Sequence, residues 1–150
     1  MIQQSCQLHA IAALLRSEST LALATCGDDG FPSVAPLFYI PDDNLNLYWL
    51  SSPASLHSRN LAAHPQASAT VYRHTLDWKE ICGVQMRGRV QTLAESETRA
   101  QMVKAYCQRF ALGHVLQFAI RRSALYAFRP QWFRYIDNSI HFGYSFELVR

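Results

Sequence analysis

Between Leu45 and Pro65 the chain reads LNLYWLSSPASLHSRNLAAHP, the stretch around which the rest is organised. It opens with a period-2 alternation, Leu45, Leu47 and Trp49 on one side and Asn46, Tyr48 and Leu50 on the other, which predicts a strand. Ser51-Ser52-Pro53 ends the ladder, because proline has no N–H to donate. Ser55 has the character of an N-cap, and Leu56 to His64 reads as a short helix stopped by Pro65. A strand therefore feeds, through a loop of small residues, into a helix start that carries Ser51, Ser52, Ser55, His57, Ser58 and Arg59. Free N–H groups and the positive end of the helix dipole suit a phosphate there, and hydroxyl and basic side chains add donors. The same residues admit a plainer reading, in which Ser55 only caps its helix and His57 and Arg59 are solvated surface.

The flanking chain supplies mostly strands. Ile2 to Glu18 has Leu8, Ile11 and Leu15 on one helical face. Leu21 to Cys26 is a strand, Gly27-Asp28-Asp29-Gly30 a turn, and Ser33 to Ile40 the next strand. Pro41-Asp42-Asp43-Asn44 turns that strand into the one at Leu45, making an antiparallel meander. Ala67 to Arg73 alternates as a strand, Asp77 to Glu80 is a polar loop, and Cys82 to Leu93 is a longer strand. Gly83 and Gly88 in that strand mark a bulge or a close backbone approach. Ser96 caps a helix that runs to Phe110, with Met102, Val103, Tyr106 and Phe110 as its inner stripe. A poorer helix is predicted over Leu112 to Ile120. Ala124 to Phe128, Trp132 to Ile136 and Ile140 to Leu148 close the chain as strands, separated by Pro130 and by Asp137-Asn138-Ser139. This order predicts an α+β chain, an antiparallel split barrel with peripheral helices.

Composition narrows the class. A chain of 150 residues, 49% hydrophobic and 17% charged, is one domain with a real core, neither disordered nor highly charged. A net charge of +3 with no Lys/Arg run gives no nucleic-acid patch. No apolar run reaches about 18 residues, so no transmembrane helix is expected, and the N-terminal segment lacks signal-peptide order. The expected compartment is the cytoplasm. Cys6, Cys26, Cys82 and Cys107 form no CxxC and read as reduced, mostly buried thiols. His9, His64, His74, His114 and His141 have no metal-ligand spacing, so no metal is expected.

The run TLALATCGDDGFPSVAPLFYIPDDNLNLYWLSSPASLHSRNLAAHPQASATVY resembles the pyridoxamine 5'-phosphate oxidase-like superfamily, the FMN-binding split barrels. DWKEICGVQMRGRVQTL, KAYCQRF and QWFRYIDNSIHFGY are similar to one uncharacterised branch of it. The resemblance implies a homodimer with FMN in a cleft between subunits. It implies flavin against the backbone of Pro36, Leu37, Phe38 and Tyr39, and phosphate at Leu50, Ser51, Ser55, Leu56 and His57. It further implies a contribution from Gln85, and Trp132 and Arg134 reaching across from the other subunit. Many relatives carry Arg immediately before the His, where this chain has Leu56, so either phosphate affinity is lower here or Arg59 compensates.

Each of these positions also has an ordinary explanation. Gln85 alternates with core residues as an outward polar residue would, and Arg87 and Arg89 read as one solvated face. Trp132 with Phe133, Arg134 and Tyr135 suits an interface, where Trp, Tyr and Arg are enriched. Those aromatics together with Phe142, Tyr144 and Phe146 exceed what one small barrel is expected to hide. Serine next to His57 without a strained elbow or an orienting acid does not make a hydrolase. The expected function is that of an FMN-dependent oxidoreductase acting on a small molecule, with no assigned catalytic side chain. The alternatives are a non-catalytic flavin-binding module and a split barrel using haem or a deazaflavin.

Overall fold

In the computed structural model, which describes residues 2–112 and 117–150, the strand predicted from Ser33 to Ile40 is divided at Tyr39. Its first part, β2 (Pro32–Phe38), pairs with β1 (Thr20–Cys26), and its second, β3 (Ile40–Pro41), pairs with β4 (Leu47–Ser51). Between them lie β5 (Gln66–Tyr72), β6 (Cys82–Thr92) and β7 (Ala124–Asp137), giving the antiparallel order β2-β1-β5-β6-β7-β4-β3. The two ends of that path are one residue apart in the chain, so the sheet curls until they meet at Tyr39. The split arises on β7. Its first half pairs with β4 through Ala124 to Phe128, and its second half pairs through Trp132 to Ile136 with β8 (Ser145–Val149). The fold is the expected α+β split barrel, with α1 (Ile2–Ser17), α2 (Leu56–Ala63), α3 (Glu97–Arg109) and α4 (Gln117–Arg121) around it.

Alternation puts one side of each strand inside. Leu21 and Leu23 of β1, Ala67, Ala69 and Val71 of β5, and Val84, Met86 and Val90 of β6 are buried together with Trp49, Phe128 and Phe133. Each large side chain buried this way stabilises the fold by about 1.5–3 kcal/mol. Helix α1 closes one end with Ile11, Leu14 and Leu15. The Tyr39 hydroxyl donates to the Leu15 carbonyl at 2.7 Å, and Arg109 donates to the carbonyls of Arg16 and Glu18, so two of the last carbonyls of α1 and the one just past its end are satisfied. Burial raises the Tyr39 phenol well above its ordinary pKa.

Several expectations need correction. Pro130 does not separate two strands, because β7 runs unbroken through it. The pairing passes from Arg87 opposite Trp132 to Gly88 opposite Pro130, leaving Gln131 as the extra residue of a bulge, where a missing proline N–H is harmless. Gly88 is needed there, since an added Cβ would sit 2.1 Å from the Arg129 carbonyl oxygen. Leu45 does not open β4. It turns at φ 55°, and Tyr48 is buried along with Leu47 and Trp49, because both faces of β4 are covered. Asp77 caps a one-turn 3-10 helix (Trp78–Glu80) instead of a loop, and β8 begins at Ser145, not Ile140. Of the helix predicted over Leu112 to Ile120, residues 113–116, with His114, lie outside the described residues. Cys82 is buried and Cys26 and Cys107 are half-buried, but Cys6 is exposed. Phe133 and Tyr135 belong to the core, so that part of the aromatic surface is hidden within one chain. Among the described residues, no helix is long and apolar enough to cross a membrane.

Candidate functional site

The strand–loop–helix at Leu47 to Ala63 forms as its residues dictate. Ser55 is the N-cap of α2, accepting from the Ser58 N–H, and Pro53 lies in the turn between strand and helix. The His57 side chain folds back over the loop. Its Nε2 lies 2.7 Å from Ser51 Oγ and 3.0 Å from Ser55 Oγ, and Ser55 also donates to Ser58 Oγ at 2.8 Å. Three hydroxyls and one imidazole thus converge at the start of α2, where the Leu56 and His57 N–H groups have no partner within the helix. Burial pushes the His57 imidazole below its ordinary pKa, favouring the neutral ring.

The rest of the corner is less uniformly polar. Arg59 donates to the Ala54 carbonyl, which holds its guanidinium beside the loop. Leu56 is 53% exposed, an apolar side chain at the helix start. Leu50 is half-buried at the end of β4. Helix α2 is pinned behind the corner, because Asn60 donates to the buried Thr25 hydroxyl of β1 at 3.1 Å. Strand β2, carrying Pro36, Leu37 and Phe38, touches both α2 and β4. Pro36 and Phe38 face outward, whereas the Tyr39 side chain is committed to the core and only its backbone could face a ligand.

Gln85, Trp132 and Arg134 form a second group. Gln85 and Arg134 are direct partners across β6 and β7, and Arg87 opposite Trp132 lays its guanidinium over the indole at 4.3 Å from the ring centre. Trp132 Nε1 donates to Glu147 at 3.2 Å. Gln85, Arg87 and Trp132 wall a groove on the outer sheet face, made of two clefts of about 490 and 360 Å³ that share Ala24, Ser68, Arg87 and Trp132. The floor is small side chains, Ala22 and Ala24 of β1 with Ser68 and Thr70 of β5. From Gln85 the register steps through Thr70 and Ala22 to Pro36. Three strand spacings make that about 14 Å. In one chain, therefore, Pro36 to Tyr39, Leu50, Ser51, Ser55, Leu56, His57 and Arg59 are gathered at one corner, and Gln85, Trp132 and Arg134 are not among them. Sequence reasoning missed Arg87 as the partner of Trp132, although the two stand in a strand and an aromatic-basic run. It also missed the groove floor, which was legible as Ala-x-Ala in β1 and Ser-x-Thr in β5.

Comparison with known proteins gives the family and the fold. The pattern of the pyridoxamine 5'-phosphate oxidase family matches residues 8–137. A pyridoxine/pyridoxamine 5'-phosphate oxidase of Burkholderia lata is 34% identical over 90 residues, which is 60% of this chain and 40% of that protein. The match thus spans about two fifths of the length of such curated relatives. Among solved structures, the haem storage protein HutZ from Vibrio cholerae superposes with a TM-score of 0.68 at 20% identity, covering 80% of this chain and 87% of that one. An FAD-binding protein from Mesorhizobium loti gives a TM-score of 0.67 at 20% identity, covering 81% and 86%.

Proposed function

The chain belongs to the pyridoxamine 5'-phosphate oxidase family, and from that membership we propose that it binds FMN noncovalently and acts as a flavin-dependent oxidoreductase on a small molecule. The observation that carries the reading is the convergence of Ser51, Ser55 and His57 at the start of α2. Those donors fit a phosphate. In this reading the two hydroxyls, His57 Nε2 and the free N–H groups of α2 hold it. Arg59 adds charge by exchanging the Ala54 carbonyl for a phosphate oxygen, in place of the arginine absent at Leu56. The backbone of Pro36 to Tyr39 lies along the ring, with Leu50 and Leu56 excluding water beside it. Bound flavin supplies the hydride or electron transfer; the chain supplies binding, orientation and a dry wall. No side chain at the corner is assigned as a general acid or base.

Because Gln85 stands about 14 Å from Pro36 within one chain, and Trp132 and Arg134 one strand farther on, we assign them to the flavin held at the other subunit's corner. The assembly is then a homodimer in which each ring lies between one subunit's β2 and the partner subunit's Trp132. Val34 and Phe38 of β2, and Phe31 just before it, are exposed apolar surface that such a partner would cover.

The absorption spectrum of the purified protein tests the cofactor. Flavin bands released on heating, with a dimer by light scattering, are expected. A Soret band with no uptake of added FMN would replace this reading by a haem protein, the alternative favoured by the likeness to the haem storage protein. Turnover with NADH or NADPH separates an enzyme from a flavin-carrying module.

A further inference from the structure

We propose that the β6–β7 bulge carries a second anion site, in which Arg89 and Arg129 hold the phosphate or carboxylate of a small molecule lying in the sheet-face groove. The anion end needs neither His57 nor Trp132, and so goes beyond the flavin reading. The bulge creates it. Past Gly88 the extra residue Gln131 resets the register, and Arg89 comes to stand directly opposite Arg129. Directly opposed side chains have Cβ atoms about 4.5–5.5 Å apart, and like charges placed so are destabilising. Both arginines are exposed. Among the described residues neither lies within ion-pair distance of a carboxylate; the pairs there involve Arg16, His64 and Arg99.

On the β4 side, the Tyr48 phenol feels the charges of both Asp42 and Arg129. Asp42 is already saturated, accepting from the Asn46 N–H and side-chain amide at 2.8 Å each and from the Tyr48 hydroxyl at 2.9 Å. Arg89, Arg129, Gln91 and Gln131 share a cleft of about 410 Å³. Gln131 also lines the larger cleft with Arg87, so the groove floored by Ala24 and Ser68 runs into three guanidinium groups and two amides. The guanidinium fork matches oxyanions and binds them in pairs of hydrogen bonds. An anion lodged between Arg89 and Arg129 would turn their repulsion into a clamp. The groove is thus shaped for a molecule with a flat or apolar body and an anionic end.

Calorimetric titration of the whole protein, saturated with FMN, with inorganic phosphate and separately with citrate tests this. Both wild type and the surface variants Arg89→Gln and Arg129→Gln are used. At least a tenfold loss of anion affinity in each variant is expected, with FMN affinity unchanged and wild-type binding weakened by added salt. Tighter binding of phosphate than of citrate identifies a phosphate end, and the reverse a carboxylate end. A His57→Ala protein titrated without FMN keeps the test independent of the flavin reading. Phosphate binding that survives His57→Ala and is lost in Arg129→Gln belongs to the bulge. Equal anion affinity of wild type and the Arg89→Gln/Arg129→Gln double variant, or no binding of either anion to wild type, overturns the proposal.

Discussion

The hydroxyl of Ser51, at the end of β4, lies 2.7 Å from Nε2 of His57 in the first turn of α2. Six residues separate them in sequence, and the proline turn folds the helix start back over the strand end. A hydroxyl and an imidazole so placed bind one small anion better than either alone.

His57→Ala should therefore weaken FMN and spare riboflavin, which lacks the phosphate. A charge-assisted hydrogen bond contributes roughly 1.5–3 kcal/mol. At ~1.4 kcal/mol per decade, its loss weakens FMN about 10- to 150-fold. Arg59→Ala gives the larger loss if its guanidinium takes over from the arginine absent at position 56. The check is a pair of flavin titrations on wild type and both variants. Equal wild-type affinity for FMN and riboflavin would end the phosphate-corner reading.

The pH dependence has a definite sign. Burial holds His57 below its usual value of 6.5, so the free ring is neutral at neutral pH, and a bound phosphate raises it again. Binding then takes up a proton. FMN affinity should strengthen as pH falls from about 8 toward 6, above which the phosphate stays mostly dianionic, and weaken as pH rises through the pKa of the bound state. Riboflavin should show no such trend. For folding of the flavin-free protein the linkage runs the other way. The folded pKa lies below the unfolded one, so the contribution of this group is complete above the unfolded value and declines as pH falls below it. Titrations of both flavins across that range decide the matter; a flat FMN profile removes His57 from the phosphate shell.

Gly88→Ala should destabilise the barrel at the bulge. The new Cβ meets backbone, the Arg129 carbonyl oxygen at 2.1 Å, which cannot swing aside as a side chain tip can. Overpacking of this kind costs about 1–3 kcal/mol, or a melting temperature lower by roughly 2–12 °C for a chain of this size. Gly83→Ala is the milder control, since its Cβ would meet the Tyr72 Cβ at 3.2 Å. An unchanged melting temperature for Gly88→Ala would mean that the strands pair without the bulge.

The local elements were legible because local chemistry makes them. The Ser55 cap, the Pro53 turn, the alternation of β1, β5 and β6 and the glycine punctuation of β6 each act within a few residues, and the structure keeps them all. The cluster of Ser51, Ser55 and His57 was legible for the same reason, its parts lying within seven residues of one another. Periodicity failed where a long-range partner overrides it. Tyr48 is polar-capable and alternates outward, yet it is buried because β4 is covered on both faces, and its hydroxyl finds Asp42. Pro130 looks like a strand break, yet it sits inside β7, because a bulge specified by Gly88 in another strand absorbs its missing donor. Phe133 and Tyr135 look like surface aromatics in a polar run, yet curvature turns them inward. Register and closure bring together residues far apart in the chain, such as Gln85 with Arg134, Arg87 with Trp132 and Arg89 with Arg129. No spacing rule encodes those pairs, because they depend on how the whole sheet curls and where its one bulge in β7 shifts the ladder.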